Sequence, residues 1–437
     1  MLRKICAFLV SSGSLFLLVF VFFTGCSGNQ NLVHSPANNP GGGGGGGSGS
    51  GGSGSTVAAY VYVSNSPAGN DQYQVTAYSA DANGQLTPVT GSPFNDNVAG
   101  IAVSGAYLMG DTVAHVSSTG AVSNNYVDAF KIGSDGSLTS ASQTKMDQFG
   151  SGCGSNGELL SDRTGQAVYQ IEYDIDCQTN KGIASYSVDP STGNLSYLGD
   201  IVTGRSGVYG FSFAGNDAYA YASGAGCGSL YPFFEFQSSS TGLLGFNSAF
   251  NGPFPAPPPG PPGSTGEYLP DLTGADSSNH VVVADYPCFS QGGPSPAQTQ
   301  LAAYTIGADG NLTTTDTYAT MPAAPLLTTV NGELSISPSD KFLAVADFGG
   351  LQIYHFNGAS PITPFTGLLT TDNISQIAWD KNDHLYAITA SEPVPPTSAL
   401  TNANKLYVFT VTDTAVTPAP GSPYTIAFPQ GLAIQSQ

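Results

Sequence analysis

Basic residues are scarce. Ten Lys and Arg stand against 30 Asp and Glu in 437 residues, for a formal charge of −20. Such a chain repels nucleic acid and acidic lipid headgroups, so no nucleic-acid partner is expected. Charged residues make up only 9%, against roughly 25% in an average soluble domain, which argues against coiled coils and exposed helical bundles. There is a single Trp. What is abundant is Gly (56), Pro (30), Tyr (22) and Phe (23), together with many Ser and Thr. That mixture suits short strands joined by tight turns.

Residues 1–26 read MLRKICAFLVSSGSLFLLVFVFFTGC. A basic start, an apolar run and small residues before a Cys form an export signal, excluded from fold reasoning. Phe23-Thr24-Gly25-Cys26 resembles a bacterial lipobox with Phe in place of the usual Leu. The resemblance implies a signal peptide over 1–25, cleavage before Cys26 and lipid on its sulfur. An uncleaved membrane anchor is the alternative. Ser27 after the Cys, rather than Asp, favours the outer membrane where the host has one. Residues 26–56 carry GGGGGGGSGSGGSGS from Gly41. They predict a flexible tether with an r.m.s. span of roughly 30 Å.

From Val57 to Gln437 one element recurs: apolar-x-x-aromatic-x-apolar, a Gly-containing turn, then usually Leu. Copies are VTAYSADANGQL from Val75, VDAFKIGSDGSL from Val127, IASYSVDPSTGNL from Ile183, FFEFQSSSTGLL from Phe233 and LAAYTIGADGNL from Leu301. Looser ones start at Leu351 and Leu406. Period-two alternation around such a turn is a β-hairpin. A second element precedes each copy, as in LSISPSDKFLAVAD from Leu334 and IAWDKNDHLYAI from Ile377. Seven units of roughly 54 residues, four strands each, predict an all-β seven-bladed propeller. Blade 1 lacks an inner strand before Ala58. Gly431 to Ile434 would supply it and close the ring.

With these hairpins, SPSDKFLAVAD from Ser337 and the Gly-Ser-Pro-aromatic endings at Gly91 and Gly421, the chain resembles the lactonase-like propellers. That group includes propeller-type 6-phosphogluconolactonase. The resemblance implies hydrolysis of a lactone. The Pro-Arg-His of the phosphogluconolactonase type is missing. Val330-Asn331-Gly332-Glu333 and Ala346-Asp347-Phe348 stand where its motifs would be. A phosphate needs cations to hold it, so 6-phosphogluconolactone is rejected as substrate.

The long loops Ser248–Gly266, with its PFPAPPPGPPG run, Tyr286–Gln300 and Ser391–Asn404 fall on one face and mark the binding side. Cys153, Cys177, Cys227 and Cys288 fall there too. Four cysteines allow three pairings; Cys153–Cys177 with Cys227–Cys288 is preferred, the latter stapling neighbouring blades. Aligned inner strands place Gly431, Gly100, Glu158, Gly210, Glu267, Glu333 and Gln376 around the channel mouth. Three converging carboxylates require protonation or a cation, for which Ca²⁺ or Mg²⁺ would suit. One carboxylate could instead be a general base, or all three could cap backbone N–H groups. Arg205 could polarise a carbonyl. Further polar groups on this face are His115, Glu172, Asp174, Asp176, Lys181, Asp285 and Asp347; His280 and His384 fall on the opposite face. Two functions stand: a hydrolase of a neutral or weakly charged lactone, or a non-catalytic monomeric propeller binding a surface glycan or protein.

Overall fold

The structure is a computed structural model. It describes residues 56–67, 72–112, 115–116, 122–123, 126–146, 155–173, 181–204, 208–215, 217–224, 227, 233–247, 254, 257–294, 298–327, 332–390 and 404–437. Every regular element among them is a β-strand. The export signal, Cys26 and the tether lie outside the described residues, as do Cys153, Cys177, Asp174, Asp176 and Arg205.

Seven antiparallel sheets of four strands follow one another along the chain. Blade 2 runs Val98–Ser104, Tyr107–Thr112, Tyr126–Ile132 and Leu138–Lys145, from the inner strand outward. Blades 3, 4, 5, 6 and 7 begin with inner strands Ser155–Ser161, Tyr209–Ala214, Thr265–Ala275, Glu333–Ile336 and Ile374–Trp379. Blade 7 gains a fifth short strand, Tyr424–Thr425. A small hairpin, His115–Val116 with Val122–Ser123, extends from blade 2.

Blade 1 is completed from the far end of the chain. Strand Pro429–Ser436 pairs antiparallel with Val57–Asn65, with Ile434 opposite Val61 and Leu432 opposite Val63. Predicted ring closure is therefore observed, and it removes the open edge that a linear array would leave.

The alternation that predicted the hairpins also builds the core. Successive side chains point to opposite faces of a blade, and both faces are covered by the next blade. Seven apolar clusters result, one at each blade junction. Tyr169 with Phe211 and Phe213 fills the junction of blades 3 and 4. Each fully buried large side chain adds about 1.5–3 kcal/mol. Inner strands of blades 4, 5, 6, 7, 1, 2 and 3 also contact in that order around the axis.

The Gly-Ser-Pro-aromatic endings have a structural role. Ala77 N donates to Ser92 Oγ at 2.8 Å, and Val408 N donates to Ser422 Oγ at 2.9 Å. Each serine thus satisfies a backbone group of the third strand where the fourth has ended. Both serines precede cis prolines, Pro93 and Pro423.

Candidate functional site

The inner-strand starts ring one end of the axis. Their register is set by the short turn at the opposite end. Asp276 N donates to His280 O, and Asp380 N donates to His384 O, at equivalent places in blades 5 and 7. Counting back from that turn puts Leu272 opposite Ala284, Glu333 opposite Ala346, Gln376 opposite Ile388 and Gly431 opposite Ser64. Leu272 therefore occupies the channel position expected for Glu267. Glu267 lies further along an 11-residue strand, exposed and opposite Cys288. The repeated Gly-Glu dipeptide misleads because blade 5 extends its inner strand beyond the blade 6 starting point.

The expected three-carboxylate cluster is not formed. Among the described residues no group of three or more His, Cys, Asp and Glu is placed to hold a metal ion. Glu333 is only 3% exposed, and its Oε2 accepts from Ile377 N of blade 7 at 2.6 Å. Burial holds its pKa well above the usual carboxylate range. Gln376 does the same one blade on: its Oε1 accepts from Leu432 N, and its Nε2 donates to Gln430 O at 3.1 Å. These side chains clasp one inner strand to the next. In blades 1 and 2 glycine stands at the ring position, since a Cβ would come within 2.7 Å of Ala99 O at Gly431 and of Asp111 Oδ1 at Gly100. Glu158 is half-buried on the inner strand of blade 3.

Other candidates separate by face. His115, Glu172 and Lys181 are placed only as backbone positions in strands. His280 Nδ1 meets Asp276 Oδ2 at 2.6 Å, and His384 Nδ1 meets Asp380 Oδ2 at 2.8 Å, both in the opposite-face turns. Arg163 is on that face as well, donating to the carbonyls of Phe213, Ala275 and Asp276. Cys227 and Cys288 form a disulfide with Cα atoms 5.7 Å apart, joining blade 4 to blade 5 as expected.

Sequence inspection missed Asp271. A β-bulge between Pro270 and Leu272 leaves it without a cross-strand partner, and a bulge re-aims the side chain it releases. Ser223 of blade 4 donates through Oγ to the Asp271 carbonyl, fixing the bulge. Asp271 is 7% exposed. Burial, then the nearby charge of Asp347, pushes its pKa up to about 6. Asp347 ends the second strand of blade 6, is fully buried, and its Oδ1 accepts from Phe348 N at 2.7 Å. The available signal was the turn aspartate: five residues before Asp276 stands Asp271, where Gly332 stands in blade 6. A carboxylate poised near neutrality beside a second carboxyl can take a proton from water and return it.

No family model and no curated protein sequence matches the chain. Solved structures match in fold. A provisionally assigned 6-phosphogluconolactonase of Bacteroides fragilis superposes with TM-score 0.59 at 12% identity, covering 86% of this chain and 98% of its own. A protein similarly assigned in Bacteroides uniformis gives 0.59 at 10% identity, with 87% and 100% covered. The periplasmic gluconolactonase PpgL of Pseudomonas aeruginosa gives 0.55 at 14% identity, with 86% and 99% covered. At these identities the likeness is one of fold.

Proposed function

We propose that this lactonase-like propeller is a hydrolase of neutral or weakly charged lactones, exported and held at the membrane by lipid on Cys26. The observation that carries the reading is the Asp271–Asp347 pair at the inner-strand end of blades 5 and 6. Asp271 is the base. Its carboxylate takes a proton from water as the water oxygen bonds to the lactone carbonyl carbon. The ring C–O bond then breaks, and the alkoxide leaving group takes that proton from Asp271. The product is a hydroxy acid, and Asp271 returns to its ionised form.

Charge selects the substrate class. Two buried carboxyls repel a phosphorylated or carboxylated lactone, and Arg163 is occupied at the other face. The activities for which the neighbours are named, on gluconolactone and 6-phosphogluconolactone, supply the first compounds to try. The test is hydrolysis of a lactone panel by purified full-length protein and by Asp271→Asn. Turnover of neutral lactones, lost in the variant and absent with phosphorylated ones, supports the reading. No turnover by folded protein across the panel overturns it and leaves binding of a glycan or protein as the function to pursue.

A further inference from the structure

The hairpin that carries Asp271 is longer than its neighbour. In blade 5 the inner and second strands, Thr265–Ala275 and His280–Gln291, run 11 and 12 residues, against 4 and 6 in blade 6. Both hairpins turn at the opposite face, so the excess of blade 5 rises past the channel position held by Leu272 and Glu333. Asp271 lies at the root of this overhang. Near its tip Cys288 is tied to Cys227 of blade 4, and Tyr268 meets Phe289 edge-on with ring centroids 5.0 Å apart. The overhang is a braced wall beside the proposed base.

Tyr286 stands on that wall. It pairs with Leu269, one step beyond Pro270 and the bulge at Asp271. Alternation puts Tyr286 on the same face as Val282 and Ala284, which pack in the junction with blade 6. From the other side Leu343 and Val345 pack in that junction, and Asp347 continues their face. Asp276 N donates to His280 O in blade 5, and Ser337 N to Phe342 O in blade 6. Counted from those bonds, Tyr286 is one residue, about 3.3 Å, above the level of Asp347. Tyr286 and Asp347 thus emerge from one seam on its two sides.

The floor of the seam is apolar. A Cβ at Gly332 would meet Leu327 Cδ2 at 2.6 Å, Ala346 O at 3.0 Å and Leu272 Cδ1 at 3.2 Å, so the chain neighbours of Asp271 and Asp347 converge there. A Cβ at Gly349 would meet Leu326 Cδ2 at 3.1 Å. These leucines are buried, whereas Tyr286 is 40% exposed. We infer that Tyr286 is a specificity-determining residue whose ring face seats an apolar substituent of the lactone. Alkyl-substituted lactones are then preferred over polyhydroxylated ones, because hydroxyls held against the ring and leucines lose water without gaining a partner. The inference rests on the lactone reading and narrows it.

The experiment measures kcat and KM of the full chain on γ-lactones bearing methyl to hexyl groups and on gluconolactone. Calorimetry follows binding of the matching γ-lactams, whose amide replaces the ester. Expected is a KM that falls about two- to fourfold per added methylene. Over the same series kcat should stay within about twofold, as uniform binding requires. Tyr286→Ser should flatten the series, raising KM for the hexyl lactone about tenfold more than for the methyl one, while Tyr286→Phe keeps the slope. A slope that persists in Tyr286→Ser, or a parent preference for gluconolactone, overturns the inference and leaves the lactone reading standing. Loss of the slope in Tyr286→Phe also overturns it, since the hydroxyl would then be the reader. Tyr286-dependent lactam binding without turnover of any lactone keeps the seat and sinks the hydrolase. Absence of both turnover and lactam binding overturns both.

Discussion

The hydroxyl of Tyr62 in blade 1 donates to the main-chain carbonyl of Gly136 in the outer turn of blade 2, 3.0 Å away and 74 residues along the chain. The same bond recurs from Tyr169 to Gly242 at 2.8 Å and from Tyr221 to Gly310 at 2.7 Å. Each acceptor is a positive-φ glycine of a third-to-fourth strand turn. Blades are thus riveted where the turn of one meets the second strand of another, as well as packed face to face.

Tyr221→Phe should lower unfolding stability by about 1–2 kcal/mol, because a buried carbonyl loses its donor. Tyr219→Phe, whose bond to Ala308 O is exposed and 3.3 Å long, should cost less than half as much. Denaturant midpoints at equal m-values measure the difference.

Reducing the Cys227–Cys288 bridge releases a 61-residue separation. A loss of about 2–4 kcal/mol is expected on chain-entropy grounds, together with the same loss in Cys288→Ser. Unfolding with and without reductant checks it; a midpoint indifferent to reductant would contradict the bridge.

Burial raises Asp111 and Asp217 to about 7. Such groups hold a proton in the folded state that the unfolded chain releases above about 4. Their contribution is therefore complete below about pH 4, falls between about 4 and 7, and is constant above. Asp111→Asn, still able to accept from Gly100 N, should flatten that slope and gain stability at pH 8. Unfolding midpoints across pH 4–8 give the comparison.

For the lactone reaction, kcat/KM should fall below a pH of about 6, where Asp271 takes up its proton. Asp271→Asn should lose at least about 100-fold of kcat, the scale of general-base removal. A rate that keeps its acid limb in the variant would assign that limb to another group.

Cys26→Ser should abolish incorporation of radiolabelled fatty acid and release the protein from the membrane fraction. An unlabelled parent protein, with the variant still in the membrane fraction, would favour an uncleaved apolar anchor.

Much of the wheel was legible in the chain. Hairpin periodicity, turn glycines and the blade lacking its first strand sufficed to predict seven blades and the pairing of Leu432 and Ile434 with the N-terminal strand, because those signals are local and repeat. The Cys227–Cys288 bridge followed once neighbouring blades were assigned. The site was less legible. Glu267 and Glu333 share a dipeptide, yet one is exposed and the other clasps Ile377. Asp271 carries no motif at all; a bulge releases it from cross-strand pairing, and burial followed by the nearby charge of Asp347 in the next blade raises its pKa. Sequence period determines which face a residue takes within its own sheet. Only the packing of separate blades decides which carboxyls are desolvated and which meet, since burial and charge coupling depend on neighbours distant along the chain.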